Sequence, residues 1–185
     1  MKKIEIENLI RVMKKLRDPK KGCPWDKKQT METIIPHSIE EVYEVAEQVY
    51  NKNYYNLKEE LGDLLFQVVY LSQIASEKKK FNFNDVVKTI TSKMIKRHPH
   101  VFKNKKLKNL KDFKIWWEHS KTKKQETILD DIPFTYPALL QANKIQKKVA
   151  SAGFEFKNNL EAIEKVQEEI KELKYEIKNN NKKKI

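Results

Sequence analysis

Four acidic residues, arranged as two pairs of identical spacing, carry the clearest chemistry in this chain. Glu41 and Glu44 form the first pair, and Glu60 and Asp63 form the second. Residues three apart lie on one face of a helix, so each pair would present two carboxylates side by side. On neighbouring antiparallel helices, four carboxylates would meet and repel one another. Hard divalent cations relieve such repulsion, and Mg²⁺ is the usual one where a substrate phosphate completes the site.

The spacing alone leaves two interpretations open, a metal site and an ordinary solvated helix face. Charged residues make up 35% of the sequence, so acidic pairs arise easily by chance. Two features favour a site. The acids border the apolar stripes of their predicted helices, and none of Glu44, Glu60 and Asp63 has a lysine four residues later to form a surface ion pair.

The elements that must position these acids are predicted to be helices. The chain has 185 residues, 39% of them hydrophobic, and only 3 are glycine, a combination that favours an all-α fold. Apolar periodicity predicts helices at residues 6–16, 39–49, 56–78, 84–97, 110–126, 137–150 and 159–178. The short connection between the second and third of these helices makes them antiparallel neighbours.

Several boundaries follow from local signals. Residues 18–29 contain two prolines and a glycine, which predicts a loop. A short turn is expected after Thr30 and is expected to end near Pro36. Ser38 and Glu41 fit a capping box for the next helix, but that interpretation competes with Glu41 as a metal ligand, which we favour. Asn56 is predicted to cap the helix at residues 56–78. Pro99 is predicted to end the helix at residues 84–97.

The bulk composition excludes some classes of protein. The net charge of +13 resembles that of a nucleic-acid binder, but only 3 of the 39 basic residues are arginine and the lysines are spread along the chain, so nucleic acid is not expected as the main ligand. Cys23 is the only cysteine, which favours a cytoplasmic location. No stretch approaches the ~20 apolar residues of a membrane span.

The loop that precedes the first acidic pair contains a further candidate. Trp25 would stack on a nucleobase, and Asp26 would accept a hydrogen bond from an exocyclic amine of that base. The chain has no glycine-rich phosphate cradle. If it handles nucleotides, metal ions and basic side chains must therefore bind the phosphates.

Four segments in a fixed order resemble the MazG nucleoside triphosphate pyrophosphohydrolases. They are Cys-Pro-Trp-Asp-Lys-Lys-Gln-Thr at 23–30, Glu-Glu-Val-Tyr-Glu at 40–44, Glu-Leu-Gly-Asp-Leu-Leu-Phe-Gln at 60–67 and Arg-His-Pro-His-Val-Phe at 97–102. The resemblance runs from about residue 9 to residue 150. It implies an all-α dimer that uses Mg²⁺ to split a nucleoside triphosphate into a monophosphate and pyrophosphate.

The resemblance also implies roles for individual residues. The implied metal ligands are Glu41, Glu44, Glu60 and Asp63. Glu40 is a proton-accepting candidate beside Glu41, and both are predicted to be catalytic. The predicted substrate-binding residues are Trp25, Asp26, Lys28, Lys93 and Arg97.

The second part of the chain resembles the beginning of another such domain. We expect a catalytic helical domain at residues 1–128, and a linker with an incomplete second repeat at 129–185. Glu169 and Glu172 match the first acidic pair of that repeat, but no Glu-x-x-Asp follows them. The alternative function is therefore a catalytically weakened relative that binds a nucleotide or a partner protein.

Overall fold

The computed structural model describes residues 5–103, 109, 113, 116, 117, 127–154, 156 and 158–179. The chain divides into two units, Met1–Asp112 and Phe113–Ile185. The described residues are helical or irregular and contain no strand, which confirms the all-α prediction. Among the described helices, none combines the length and the apolar composition that a membrane span requires.

Helix α4 is the central element of the first unit. The described helices of this unit are α1 (Glu5–Leu16), α2 (Pro24–Lys28), α3 (Met31–Tyr50), α4 (Tyr54–Glu77), α5 (Phe83–Arg97) and α6 (Pro99–Phe102). Helix α4 packs against α1, α3 and α5. The fully buried cluster of the unit consists of Met13, Ile34, Val69, Tyr70 and Ile74. Three of these five side chains come from α4, so this helix positions the others.

Helix α3 begins earlier than the sequence predicts. The Thr33 backbone N–H donates to Thr30 Oγ1, and the Thr30 N–H donates to Thr33 Oγ1, so the pair forms a reciprocal cap. The helix then continues through Pro36, where we predicted an end. Ser38, the predicted cap, donates instead to the Ile34 carbonyl within the helix. One missing N–H at Pro36 is tolerated because the cap and the burial of Ile34 hold the first turns in place.

The other boundaries lie close to their predicted positions. Asn53 rather than Asn56 caps α4, since the Asn56 N–H donates to Asn53 Oδ1. Asn82 caps α5, and this helix ends at Arg97 before Pro99, as predicted. Helix α2 was missed because its five residues are too few to show periodicity, although Pro24 at its first position is a typical start signal.

The second unit contains two described helices of more than three turns. They are α7 (Ala138–Ser151) and α8 (Asn159–Lys178), and both confirm the predicted ranges closely. Asn158 caps α8 by accepting from the Glu161 N–H. The helix predicted at 110–126 falls largely outside the described residues. The domain boundary at residues 128 and 129 stays a prediction.

Gly22 lies in the tight turn between α1 and α2, and this turn leaves no room for a side chain. A Cβ atom there would lie 2.4 Å from the Leu16 carbonyl oxygen and 2.5 Å from that of Asp18. We expect Gly22→Ala to lower the free energy of unfolding by about 1–3 kcal/mol, as overpacking does. Urea denaturation followed by circular dichroism measures this value.

Gly62 provides the matched control for that substitution. It lies inside α4, and a Cβ atom there would meet nothing within 4 Å. We expect Gly62→Ala to raise the free energy of unfolding by about 0.5–1 kcal/mol because alanine favours a helix over glycine. Equal stability of the Gly22→Ala variant and the unmodified chain would contradict the described turn.

Candidate active site

The hairpin of α3 and α4 brings the two acidic pairs to the same level. The connection consists of Asn51, Lys52 and Asn53, and Lys52 adopts a positive φ of 54° to complete the turn. Glu41 lies nine residues before the end of α3, and Asp63 lies nine residues after the start of α4. With a rise of about 1.5 Å per residue, both acids lie roughly 13 Å from the turn.

Three of the predicted metal ligands come together between these helices. Single carboxylate oxygens of Glu41, Glu60 and Asp63 all lie within 4.8 Å of one another. Glu41 and Glu60 are partly buried, whereas Asp63 is exposed. Glu44 lies outside this group of three, although it interacts with Glu41. The arrangement is a shallow carboxylate cluster with one side open to solvent.

Two acids of the cluster, Glu41 and Glu60, have raised pKa values. Burial raises the pKa of Glu41, and the neighbouring Asp63 and Glu44 raise it further, while a hydrogen bond from Gln67 opposes these effects. The pKa of Glu60 is also raised, first by loss of solvent and then by the charge of Asp63. Glu59, Glu41 and Glu47 make smaller contributions of the same sign to Glu60.

The donor set fits a hard divalent cation. Octahedral Mg²⁺ with ligands at about 2.1 Å holds neighbouring oxygens roughly 3.0 Å apart and opposite oxygens roughly 4.2 Å apart. Three oxygens within 4.8 Å of one another would therefore have to move closer together to share one ion. All donors are carboxylate oxygens, which Mg²⁺ and Mn²⁺ accept well. A cation would also relieve the repulsion that raises the two pKa values.

Asp26 occupies a different environment from the one that its predicted role requires. It is only 8% exposed, and its Oδ1 accepts a hydrogen bond of 2.9 Å from the Tyr70 hydroxyl. The backbone carbonyl of Asp26 also accepts from Tyr70 and from Arg17. Burial, followed by the bond to Asp26, raises the pKa of Tyr70 to about 12. Asp26 therefore anchors α2 to α4, and a role for its carboxylate at a nucleobase stays a prediction.

An ion pair completes this anchor. Arg17 donates to both carboxylate oxygens of Glu77, at 2.8 and 2.7 Å, and also to the carbonyl of Gln29. The Arg17 guanidinium holds the pKa of Glu77 below its usual range. Arg17, directly after α1, thereby joins the carbonyls of Asp26 and Gln29 to the last turn of α4. This network fixes the segment that presents Trp25.

Trp25 and its neighbours on α2 and α3 remain accessible. The Trp25 side chain is 52% exposed and makes an edge contact with the His37 ring at 6.0 Å. His37 Nδ1 lies 3.2 Å from a carboxylate oxygen of Glu40. Glu40 and Lys28 are both exposed. The exposed ring of Trp25 suits stacking, in contrast to the buried carboxylate of Asp26.

The predicted phosphate-binding residues lie on α5. Lys93 and Arg97 are four residues apart and therefore share one face of that helix. Lys93 is exposed, and Arg97 is partly buried. Helix α5 packs against α4, the helix that carries Glu60 and Asp63.

Glu169 and Glu172 belong to the second unit. Both are exposed on α8, a helix with the same three-residue spacing of acids. The carboxylate cluster described above is contributed entirely by α3 and α4.

Comparison with known proteins identifies the family of this chain. The sequence profile of the MazG nucleotide pyrophosphohydrolase domain matches residues 29–102, which include all four acids. The nucleoside triphosphate pyrophosphohydrolase of Escherichia coli K12 is 45% identical over 179 residues, covering 94% of this chain and 68% of that protein. The nucleoside triphosphate pyrophosphohydrolase/pyrophosphatase MazG of Thermotoga maritima is 43% identical over 171 residues, covering 92% of this chain and 67% of that protein.

A solved structure shows the same fold. The crystal structure of a mazG-related protein from Thermotoga maritima superposes with a TM-score of 0.53 at 28% identity, covering 63% of this chain and 99% of that one. The fold, the matched residues and the extent of the identity agree. The chain therefore belongs to the MazG family.

Proposed function

We propose that this chain is a Mg²⁺-dependent nucleoside triphosphate pyrophosphohydrolase, which converts (deoxy)nucleoside triphosphates into monophosphates and pyrophosphate. The observation that carries the proposal is the carboxylate group of Glu41, Glu60 and Asp63 on two packed helices. Two relatives that are 45% and 43% identical to the chain bear the name of this activity. A nucleotide pool as substrate also favours a cytoplasmic location.

The metal site would be formed by Glu41, Glu60 and Asp63, with Glu44 joining from the next turn of α3. A bound Mg²⁺ would neutralise phosphate oxygens and favour attack by water on phosphorus. Lys28, Lys93 and Arg97 supply positive charge for the remaining phosphate oxygens. Phosphate binding by a metal ion and basic side chains is what we expect of a chain without a glycine-rich phosphate cradle.

The reaction exchanges one bond to the α-phosphorus for another. The oxygen of a water molecule bonds to the α-phosphorus, while the bond from that phosphorus to the oxygen bridging to the β-phosphorus breaks. Pyrophosphate leaves, and the nucleoside monophosphate remains. Glu40 is the proposed acceptor of the proton that the water releases, because its exposed carboxylate adjoins Glu41 in sequence and is oriented by His37.

Recognition of the base falls to Trp25. Its exposed ring offers a stacking surface that any base can use, so we expect broad use of nucleotides. Asp26 contributes indirectly by holding α2, and with it Trp25, against α4. Since the predicted role of Asp26 at the base needs an accessible carboxylate, we assign it this positioning role instead.

Product analysis tests the proposed reaction. The full chain is incubated with Mg²⁺ and each of the common ribo- and deoxyribonucleoside triphosphates, and ³¹P NMR identifies the phosphorus products. We expect pyrophosphate and monophosphate in equal amounts from several nucleotides. Orthophosphate with a diphosphate would contradict cleavage at the α-phosphorus, and nucleotide binding without any product would favour the weakened relative.

We also infer that two copies of the chain associate. Helix α3 leaves Ile39, Val42 and Val49 about half exposed along one face, and α4 does the same with Leu61 and Leu65. Exposed apolar faces of this extent in a single chain are typical of interaction surfaces. A second copy of the same helices would cover them.

A charge on the exposed face of α3 tests the association. Val42→Glu is expected to convert a dimer into a monomer, because an interface would bury the new carboxylate without a partner. The same change at Val12, which is 48% exposed on α1, provides the control. Light scattering after size-exclusion chromatography measures the mass. A monomeric unmodified chain would contradict the inference.

A further inference from the structure

Gln67 is a buried polar side chain whose hydrogen-bonding capacity is only partly used. Among the described residues, the buried polar or charged side chains are Asp26, Gln67 and Ser72. The other two have partners within the fold. Gln67 donates through Nε2 to Glu41, whereas its Oε1 is buried and accepts no hydrogen bond. A buried acceptor without a donor costs about 1–3 kcal/mol, so an apolar side chain would serve the core better.

The hydrogen bond of Gln67 joins the two helices that carry the acids. Nε2 on α4 lies 3.2 Å from Oε1 of Glu41 on α3. Asp63 precedes Gln67 by four residues and therefore shares its face of α4. Glu41 is thus held by an amide from one turn of α4 and faces an acid from the preceding turn.

We propose that Gln67 is a positioning residue that holds the Glu41 carboxylate in the orientation in which it binds a divalent cation. The inference rests on the metal site proposed above. An amide that donates to one carboxylate oxygen restricts rotation of the side chain and leaves lone pairs on both oxygens for a cation. Without this donor, repulsion from Asp63 would turn the Glu41 carboxylate away from the cluster. This role explains why a polar side chain occupies a position that the core alone would fill better.

Direct binding of Mn²⁺ to the full chain, without nucleotide, tests this role. Electron paramagnetic resonance of free Mn²⁺ gives the dissociation constant. We expect Gln67→Met and Gln67→Asn each to weaken binding about 10- to 100-fold, as loss of a partner of a metal ligand does. Methionine removes the donor and keeps the length, whereas asparagine keeps the amide but is too short to reach Glu41. Raising the Mg²⁺ concentration should restore pyrophosphate release to nearly the unmodified kcat.

Two further variants separate the possible outcomes. Ser72→Ala, at another buried polar position on α4, should leave Mn²⁺ affinity unchanged. Glu41→Gln should weaken Mn²⁺ binding strongly; if it does not, the metal site itself is wrong. If Glu41→Gln weakens binding while a folded Gln67 variant binds Mn²⁺ as the unmodified chain does, the positioning role alone is overturned. Failure of both Gln67 variants to fold would also overturn it, since the amide would then serve the fold.

Discussion

Replacing Asp63 with asparagine is expected to lower the rate of pyrophosphate release by more than roughly 100-fold. Loss of a residue that merely supports a metal ligand typically costs about 10- to 100-fold, and loss of a ligand charge should cost more. Asp63 is exposed and shares the cluster with Glu41 and Glu60, so the substitution removes charge without opening a cavity. The measurement is pyrophosphate release at saturating Mg²⁺ and nucleotide.

The same variant should be at least as stable as the unmodified chain when metal is absent. Glu41 and Glu60 have raised pKa values in the folded chain, so the folded state favours their protonated forms. Their contribution to stability therefore falls as the pH rises through the range in which they ionise. Asp63→Asn removes one source of this repulsion. Urea denaturation in EDTA gives the free energy of unfolding at pH 5 and at pH 7.5. We expect this free energy to fall less between the two pH values for the variant than for the unmodified chain.

The control for this prediction is another acidic pair of the same spacing, Glu169 and Glu172 on α8. The double variant Glu169→Gln, Glu172→Gln removes two exposed carboxylates from α8 in the other unit. We expect it to release pyrophosphate at the unmodified rate. If Asp63→Asn also retains nearly the full rate, the acids on α3 and α4 form only a solvated face.

Removal of divalent metal is expected to abolish activity completely. The triphosphate and the carboxylate cluster are both negatively charged, so without a cation the cluster repels the substrate. Mg²⁺ and Mn²⁺ suit a small set of carboxylate oxygens. Ca²⁺ takes six to eight ligands at longer distances, and we expect it to bind without supporting turnover.

The sequence predicts most of the helices because their apolar residues recur at helical spacing. Helices α7 and α8 lie within one residue of their predicted ranges, and α5 ends before Pro99 as predicted. The prediction was wrong at Pro36, because proline is unfavourable in isolation and only the cap at Thr30 and the burial of Ile34 show that the helix continues.

It was harder to predict which apolar face of each helix is buried. Val42 and Leu61 belong to the apolar stripes of their helices, yet about half of each residue is exposed. Val69, Tyr70 and Ile74 form the buried face of α4 instead. Periodicity reports that a face is apolar, but it does not tell whether that face meets the same chain or another copy.

The candidate site was predictable where it depends on local spacing. The structure brings Glu41, Glu60 and Asp63 together, as expected for two acidic pairs on an antiparallel helical hairpin. Their metal binding stays a prediction. The environments of Asp26 and Gln67 depend on partners 44 and 26 residues away. No local pattern predicts such contacts. The motif at Glu60–Gln67 contains Gln67, but only the structure shows its bond to Glu41.

The most direct test of the account is pyrophosphate release by the full chain before and after removal of divalent metal. The protein is treated with excess EDTA, assayed with one nucleoside triphosphate, and assayed again after Mg²⁺ is added above the EDTA concentration. The account predicts no release in EDTA and full recovery with Mg²⁺. Undiminished release in EDTA would contradict a metal-dependent reaction at the carboxylate cluster.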